Sequence, residues 1–279
     1  EGPVDGNTDP DAVPEVETFV ETGQTWVLGD HRLRCGDSTN PDDVEALLVG
    51  AKPRLMVTDP PYGVEYDPEW RDELHAAGLI QGGAARRGKV KNDDQADWSP
   101  AWDLSPAEVA YCWCAQGQLQ LEAGLALVKS GFEIRSQIVW SKPHFPISRC
   151  HYHYRHEPCW YAVRKGRKAH WVGDRKQCSV WEVALDETVP GGHGTQKPVE
   201  LFDRAIRNHD APEVYEPFAG SGTCVIACER LSRRCYAMEL DPGYCSVIVR
   251  RWEEFTGRKA ELEGESSAPI DSADVANVG

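Results

Sequence analysis

Apolar residues recur with two different periods along this chain, and the changes of period mark the predicted secondary structure. The predicted order is a hairpin over 26–35, a helix over 41–50, strands over 55–58 and 108–114, a helix over 119–130, a strand over 134–140, a helix over 199–208, a strand at 214–216, a helix over 224–231 and a strand over 234–239. This alternation predicts an α/β fold with a doubly wound, mostly parallel sheet. A ligand is then expected at the carboxyl ends of the strands.

Four stretches lack a clear period and define the organisation of the chain. Residues 1–21 are rich in proline, glycine and acids, and they predict an acidic linker or disordered arm. Residues 22–262 are expected to form one domain that contains a mobile basic loop over 63–98. The domain also contains an irregular region over 144–194, rich in histidine, aromatic and basic residues. Residues 263–279 predict a disordered tail.

The formal net charge of −15 is concentrated at the two ends of the chain. Residues 1–21 hold seven acids and no lysine or arginine, and residues 253–279 have a net charge of −5. Residues 142–176, in contrast, have a net charge of +7. This excess predicts a surface for a phosphate backbone, with an ordinary solvated basic surface as the alternative. The candidate DNA contacts are Arg86, Arg87, Lys89, Arg149, Arg155, Arg164, Lys165, Arg167 and Lys168.

The ten cysteines are scattered and lack a secretory context, so they predict reduced thiols in a cytoplasmic protein. No apolar stretch reaches the roughly 18 residues that span a bilayer, so no membrane partner is predicted. A zinc site is the weaker alternative for Cys150, His151, His153, His156 and Cys159, because their spacing does not match paired Cys-x-x-Cys ligands. We therefore predict no metal and expect these histidines at the DNA surface.

The tetrapeptide Asp59-Pro60-Pro61-Tyr62 follows the predicted buried strand over 55–58. Two consecutive prolines fix φ and remove two backbone donors, so this turn cannot continue as a helix or a central strand. A carboxylate, carbonyl oxygens and an aromatic ring therefore stand at the carboxyl end of a strand. Those groups suit an exocyclic amino group on a planar base, because the oxygens accept its N–H bonds and the ring stacks on it.

A second motif, residues 214–223, reads Val-Tyr-Glu-Pro-Phe-Ala-Gly-Ser-Gly-Thr and connects a predicted strand to a predicted helix. Gly220 and Gly222 allow the backbone to approach a ligand at the helix N-terminus. Glu239 ends the next predicted strand, where a nucleoside-binding βαβ unit places the acid that binds ribose hydroxyls. A Gly-x-Gly turn alone also fits an ordinary helix start, but this context favours a nucleoside cofactor.

Together the two motifs resemble the permuted beta group of DNA amino-methyltransferases, in which the catalytic turn precedes the glycine-rich loop. The resemblance runs from Trp26 to Leu262 and includes Gly36-Asp37, Ile138-Val139-Trp140-Ser141-Lys142-Pro143, His156-Glu157-Pro158 and Thr195-Gln196-Lys197-Pro198. It implies a seven-stranded sheet with one antiparallel strand, S-adenosylmethionine as cofactor, double-stranded DNA as substrate, and target recognition by residues 144–194. A restriction–modification role, a homodimer and an upstream domain joined through residues 1–21 are compatible with it.

The resemblance also implies a role for each matching residue. Asp59, Pro60, Pro61 and Tyr62 would form the catalytic turn, with Tyr62 stacked on a base rotated out of the duplex. The amino nitrogen would attack the methyl group directly, without a covalent intermediate. The cofactor residues would be Asp37, Thr195, Lys197, Pro217, Phe218, Gly220, Gly222, Thr223 and Glu239, with Thr195 and Lys197 at the methionine end. The alternative for Asp37 is a helix N-terminal residue.

The aspartate that begins the catalytic turn favours adenine N6 as the target, because cytosine-N4 members of the family often carry serine there. The expected function is therefore site-specific adenine-N6 methylation. Cytosine-N4 methylation is the alternative, and a non-catalytic DNA-binding module on the same fold is the second alternative. Cytosine-C5 methylation would use Cys159, after Pro158, as a nucleophile, but it leaves the Asp59–Tyr62 turn without a role.

Overall fold

The computed structural model describes residues 2–63, 95–145, 151–184 and 196–264. The elements of this part are, in chain order, β1 (Thr25–Leu28), β2 (His31–Cys35), α1 (Pro41–Leu48), β3 (Leu55–Thr58), α2 (Ser99–Leu104), β4 (Val109–Trp113), α3 (Gln118–Lys129), β5 (Phe132–Ser141), β6 (His156–Arg164), β7 (Val180–Glu182), α4 (Val199–Arg207), β8 (Glu213–Glu216), α5 (Thr223–Arg230), β9 (Arg234–Glu239), α6 (Pro242–Thr256) and β10 (Glu261–Leu262). All of the predicted elements are present, with ends that differ by at most two residues.

The strands of the described part form a single sheet in the order β10-β1-β2-β9-β8-β3-β4-β6-β5-β7. The seven neighbours from β2 to β5 in this order all run in the same direction except β6, which is antiparallel to both β4 and β5. This arrangement confirms the predicted fold class and its one antiparallel strand. The sheet is nevertheless wider than the predicted seven strands, because β1 and β10 extend one edge and β7 extends the other.

Helices cover both faces of the sheet, and each layer encloses its own apolar core. Leu55 and Val57 of β3 belong to the core that packs under α4, α5 and α6, whereas Met56 between them belongs to the core under α1, α2 and α3. All four residues of β3 are buried, as expected for a strand in the middle of a doubly wound sheet. Within the part of the chain that the structure describes, no helix could span a membrane.

The N-terminal arm, predicted as an acidic linker or disordered arm, contacts the domain at several points along residues 2–21. Val20 is buried, and its backbone N–H and that of Phe19 donate to the Ser246 hydroxyl at 3.0 Å. The Asp11 carboxylate accepts the Val199 N–H at 2.7 Å. Helix α4 begins after Pro198, which has no side-chain acceptor, so Asp11 caps the helix from a distant part of the chain. The predicted tail lies outside the described residues from position 265 onward.

Strand β6 is the main element missing from the sequence prediction, which left residues 144–194 without a long periodic segment. Its residues do not alternate between buried and exposed, because β6 lies between β4 and β5 inside the sheet. It also contains Pro158, a residue that central strands normally exclude. The proline is tolerated because it lies just beyond the last residue pair with β4, Trp113 and Cys159. The predicted mobile loop lies outside the described residues between positions 64 and 94.

Candidate active site

The two sequence motifs meet at the centre of the sheet. Strands β3 and β8 are parallel neighbours, with Leu55 opposite Val214 and Met56 opposite Tyr215. Their carboxyl ends therefore place the Asp59–Tyr62 turn beside the loop that follows Glu216. Helices leave β3 and β8 toward opposite faces of the sheet, which makes this boundary the switch point where ligands of such folds bind.

The catalytic turn is held by hydrogen bonds and by a glycine. The Tyr62 hydroxyl donates to Asp59 Oδ1 at 2.6 Å, and the Trp98 indole N–H donates to the Pro61 carbonyl at 2.9 Å. Gly63 ends the turn with φ +75°, and a Cβ there would lie 2.8 Å from the backbone carbon of Gln95. Any other residue at position 63 would be strained and would clash, so glycine fixes the exit of the turn.

Lys197, which the resemblance implied near the methionine end of the cofactor, contacts the catalytic turn. Its Nζ lies 2.6 Å from both carboxylate oxygens of Asp59, 2.6 Å from the Tyr62 hydroxyl and 3.1 Å from Glu157 Oε2. Burial alone would lower the pKa of Lys197, but the negative charges of Asp59 and Glu157 outweigh burial and raise it. The side chain is therefore a buried ammonium, and its main partner is the catalytic aspartate.

A second acid–base pair, Glu157 and Lys142, extends this network. Burial tends to raise the pKa of Glu157, but Lys197 and Lys142 together lower it to about 2. Lys142 contacts Glu157 directly, and its ammonium lies over the Trp140 ring at 4.9 Å. Both residues lie in segments that carry the family resemblance, but no role was predicted from the sequence for either of them. The segments were visible in the sequence, whereas the contact between the two side chains depends on the pairing of β5 with β6.

The glycine-rich loop has the backbone freedom that the motif predicts. Gly220 and Gly222 have φ +53° and +87°. Space around the Cβ position of Gly220 is open, whereas a Cβ on Gly222 would lie 3.0 Å from the Ile248 side chain. The Gly220 N–H donates to Glu239 Oε2 at 2.8 Å, so the acid at the end of β9 lies directly against the loop. Pro217, Phe218 and Thr223 complete the loop and the start of α5.

Glu216 connects the two halves of the site and was left without a firm role by the sequence. Its Oε1 accepts the Thr58 hydroxyl at 2.6 Å and the Phe218 N–H at 3.0 Å. Burial raises the pKa of Glu216 well above its ordinary value, more than these two hydrogen bonds lower it. Thr58 and Glu216 thus link the end of the catalytic strand to the glycine-rich loop.

Asp37 lies beyond the end of β2 and next to β9. Cys35 pairs with Glu239, and the Gly36 N–H donates to the Glu239 carbonyl at 3.0 Å. Asp37 Oδ1 accepts the Thr39 N–H and hydroxyl, both at 2.8 Å. The N-cap of α1 is Asn40, so Asp37 is not the capping residue of that helix. Thr195 lies outside the described residues.

The structure contradicts the predicted DNA contact of Arg164. Its guanidinium is half-buried and donates to the carbonyls of Ala107, Ser130 and Ser105 at 2.8–3.0 Å. The prediction failed because a run of basic residues in sequence does not show which side chains hydrogen-bond internally.

The other predicted DNA contacts that the structure describes lie at opposite edges of the sheet, because the direction of β6 decides which edge each of them is near. Because β6 is antiparallel, its first residue lies at the catalytic edge and its last at the opposite edge, roughly 27 Å away for nine residues. Lys165, Arg167 and Lys168 follow the far end, whereas Arg155 precedes the near end and is exposed. Predicted contacts outside the described residues are Arg86, Arg87, Lys89 and Arg149.

Exposed aromatic residues precede Arg155 in the chain segments at this edge of the sheet. Tyr152 is 86% exposed and Phe145 is 53% exposed. The Phe145 ring stacks on His153, with a centroid separation of 5.3 Å and an interplanar angle of 11°. Aromatic and cationic side chains in this combination suit nucleic-acid bases and phosphates.

The competing chemistry at Cys159 is not supported. The Cys159 thiol is fully buried in β6, and burial raises its pKa well above the ordinary value. A thiol in that state is a poor nucleophile, because only the thiolate attacks. Among the described residues, the side chains that come close enough to hold a metal are instead Cys224, Cys228 and Cys235, on α5 and β9.

Replacing Arg164 with Ala is expected to lower the free energy of unfolding by about 2–3 kcal/mol, because several carbonyls lose a charged donor. Denaturant unfolding measures this change. The neighbouring exposed Lys165, replaced by Ala, is the matched control and should change stability little. Equal small effects of both substitutions would contradict an internal role for Arg164.

Known DNA methyltransferases are similar to this chain in sequence. The N6_N4_Mtase family model, described as DNA methylase, matches residues 54–250. The type II methyltransferase M2.DpnII of Streptococcus pneumoniae is 32% identical over 148 residues, which are 47% of this chain and 55% of that protein. The chain thus spans about half the length of the curated relatives it matches.

Solved structures share the fold. The M1.HpyAVI–SAM complex has a TM-score of 0.53 and 22% identity, covering 78% of this chain and 98% of that chain. The PvuII DNA methyltransferase, described as cytosine-N4-specific, has a TM-score of 0.58 and 14% identity, covering 84% and 90%. The matched family segment runs from β3 into α6 and contains both motifs. These findings confirm the resemblance: the chain belongs to the N6/N4 DNA methylase family, whose methyl donor is S-adenosylmethionine.

Proposed function

We propose that this chain transfers a methyl group from S-adenosylmethionine to the N6 amino group of an adenine in double-stranded DNA. The observation that carries the proposal is the position of Asp59, whose carboxylate lies at the sheet's switch point beside the glycine-rich loop. A cofactor on that loop and an amino group on Asp59 would be neighbours. Asp59 retains 26% exposure of its side chain, which leaves it accessible from outside.

The hydrogen bonds of Asp59 indicate which oxygen receives the target amino group. Oδ1 accepts from both Tyr62 and Lys197, which uses its two lone pairs. Among the described residues, Oδ2 accepts only from Lys197, and its second lone pair is the proposed acceptor of a substrate N–H. The carbonyl of Pro60 is the second acceptor that the turn offers. Two acceptors on one amino group favour a pyramidal nitrogen with a free lone pair.

The transfer requires positioning and charge rather than a protein nucleophile. S-adenosylmethionine, when bound, supplies an electrophilic methyl group on a sulfonium. The nitrogen–carbon bond forms as the sulfur–carbon bond breaks, and positive charge develops on the nitrogen next to the Asp59 carboxylate. The extra proton on the methylated nitrogen can leave through Asp59 to water. Held in line, the two reactants need no covalent enzyme intermediate.

The residues at the loop fit the cofactor chemically. The open space at Gly220 allows close backbone approach, and the N-terminus of α5 follows. Glu239 offers a carboxylate for the ribose hydroxyls, and Asp37 lies on the neighbouring strand end for the adenine. Pro217, Phe218, Gly222 and Thr223 would shape the cradle, and Thr195 would approach the methionine end.

Cofactor affinity is expected to increase as pH rises through about 7. Burial raises the pKa of Glu239 to about 7, against the amide hydrogen bonds that lower it. Only the ionised carboxylate accepts from both ribose hydroxyls, so the Kd should improve about tenfold between roughly pH 6 and 8. The same raised pKa means that folding stability falls as pH rises from the ordinary carboxyl range toward 7.

Calorimetric titration with S-adenosylmethionine at several pH values measures this dependence. Glu239→Gln should bind more weakly and without the pH dependence. The exposed Glu254, replaced by Gln, is the matched control and should retain it. An unchanged pH profile in Glu239→Gln would remove Glu239 from the ribose site.

Adenine is the proposed target because the turn begins with Asp59, as is commoner among adenine-N6 members of the family. Cytosine N4 is the alternative, since its amino group needs the same acceptors. The PvuII enzyme, described as cytosine-N4-specific, shares this fold. A non-catalytic DNA-binding module is the second alternative. The intact ion network around Asp59 favours an active site over such a module.

DNA is proposed to approach the catalytic edge, where Tyr152, Phe145 and Arg155 are exposed. The target base must leave the duplex, because its amino group is otherwise paired. Tyr62, whose ring borders the turn, would stack on the rotated base. A homodimer and an upstream domain joined through the N-terminal arm remain predictions.

Sequencing that reads modified bases in DNA from cells producing the chain tests this proposal. Modified adenine at a recurring sequence, absent with Asp59→Asn, is the expected result. Modified cytosine would support the N4 alternative. DNA without a mark, although the purified chain binds DNA and cofactor, would support the non-catalytic module.

A further inference from the structure

We propose that Glu157 is a positioning residue for this methyl transfer, and that it acts through Lys197 on the catalytic Asp59. This inference rests on the proposed function and assigns a role to a residue outside both the Asp59–Tyr62 turn and the glycine-rich loop. Glu157 contacts Lys197 at 3.1 Å and also contacts Lys142, while Lys197 contacts Asp59 at 2.6 Å. Positive and negative charges thus alternate along a line that ends at the catalytic carboxylate.

The sheet topology explains how residues far apart in sequence form this line. Strand β6 is antiparallel, so Glu157 near its start lies at the edge where β3 and β4 end. Trp140 of β5 pairs with Glu157, and the Lys142 N–H donates to the Arg155 carbonyl at 2.9 Å. Lys197 precedes α4, whose N-terminus lies at the same edge. Four segments therefore converge on one buried ammonium.

The contacts of Lys197 give Glu157 a geometric role. The ammonium donates to both Asp59 carboxylate oxygens and to the Tyr62 hydroxyl, and Glu157 Oε2 lies 3.1 Å from Nζ as its ion-pair partner. The attraction of Glu157 therefore helps to hold the ammonium where its donors reach Asp59 and Tyr62. Lys197 is 4% exposed, so water cannot readily replace Glu157 as the third partner.

Charge gives Glu157 a second role. Lys142, Glu157, Lys197 and Asp59 sum to zero when all four are ionised. Without the charge of Glu157, the group has an excess positive charge beside a nitrogen that becomes positive during transfer. Such an excess is costly in a site with little water, because Coulomb interactions are strong at low dielectric. Glu157 therefore keeps the surroundings of Asp59 neutral and its carboxylate available to the substrate.

Charge compensation provides the test. Glu157→Gln keeps the size of the side chain and an oxygen near Lys197 but removes the charge, and it is expected to lower kcat about 10–100-fold. The Kd for S-adenosylmethionine should stay within about twofold, because the glycine-rich loop is unchanged. Adding Lys142→Met to Glu157→Gln restores zero net charge and should recover at least about threefold of the lost kcat. Lys142→Met alone should lower kcat by less than about threefold.

A merely structural Glu157 would behave differently. Removing Lys142 as well would then add to the damage, and the double variant would be no faster than Glu157→Gln. That result, or an unchanged kcat in Glu157→Gln, would overturn the inference while the proposed function stands. Glu157→Asp, which keeps the charge on a shorter side chain, should retain more activity than Glu157→Gln.

Failure of the proposed function is recognised separately, because the unsubstituted chain would then methylate neither adenine nor cytosine. The unfolding midpoints of Glu157→Gln, Lys197→Met and the double variant then test whether Glu157 and Lys197 are energetically coupled. Coupling predicts that Glu157→Gln lowers the midpoint in the Lys197 background but not in the Lys197→Met background. Equal shifts in both backgrounds would overturn the positioning role.

Discussion

Asp59→Asn is expected to lower kcat for methyl transfer by about 10²–10³-fold while the chain still binds S-adenosylmethionine. Asparagine keeps the shape of the side chain but removes the negative charge that faces the developing positive charge on nitrogen. It also loses the attraction of Lys197, whose Nζ lies 2.6 Å from both carboxylate oxygens. The cofactor loop makes its own contacts with Glu239, so cofactor affinity should change little.

Single-turnover methyl transfer and calorimetric cofactor binding, measured on the same preparations, separate these two effects. Asp103→Asn is the matched control, because Asp103 is an exposed carboxylate on α2. It should leave both quantities unchanged. Full activity in Asp59→Asn would contradict the proposed acceptor role, and loss of cofactor binding would show that the substitution disturbs the loop.

Lys197→Met is expected to abolish methyl transfer and to lower the free energy of unfolding by about 3–5 kcal/mol at neutral pH. Two carboxylates, Asp59 and Glu157, would lose the buried cation that they share. Without Lys197, the pKa of Glu157 should rise from about 2, since burial then acts against Lys142 alone. The stability deficit should therefore shrink as pH falls toward the ordinary carboxyl range, because the variant can take up a proton.

Denaturant unfolding of Lys197→Met between neutral pH and about pH 4 measures this dependence. Lys129→Met is the matched control, because Lys129 pairs with Asp97 at the surface and its side chain is 62% exposed. Surface pairs contribute at most about 1 kcal/mol, so this variant should be close to the unsubstituted chain. A deficit of equal size at every pH would indicate lost packing rather than unpaired carboxylates.

The sequence predicted those parts of the site that depend on local structure. The Asp59–Tyr62 turn follows a buried strand, and consecutive prolines permit few other conformations. Gly220 and Gly222 need φ values that glycine readily adopts, and the loop lies between a strand and a helix as predicted. Such features depend on residues that are adjacent in the chain.

Long-range pairing determined what the sequence could not predict. Glu157 reaches Lys197 only because β6 runs antiparallel between β4 and β5. The strand was not predicted, because its residues do not alternate between buried and exposed and because it contains Pro158. The contact of Lys197 with Asp59 also joins positions far apart in the sequence, and the path of the chain before α4 brings it there.

Charge and composition were equally ambiguous about the surface. Arg164 belongs to a basic run, yet its guanidinium donates to three carbonyls in two other segments of the chain. The acidic N-terminal arm has the composition of a disordered segment, but Asp11 meets the uncapped N-terminus of α4 and Val20 is buried. Composition gives the average behaviour of a segment, whereas these outcomes depend on single contacts.

The chemistry assigned to Asp59 is tested most directly by incubating the chain with methyl-labelled S-adenosylmethionine and unmethylated genomic DNA, followed by mass spectrometry of the digested nucleosides. Labelled N6-methyladenine is the predicted result, and Asp59→Asn in parallel should give almost none. Label in N4-methylcytosine would correct the target base and leave the role of Asp59 intact. Absence of label from both nucleosides, in a chain that binds the cofactor, would contradict the assignment of this site as a DNA amino-methyltransferase.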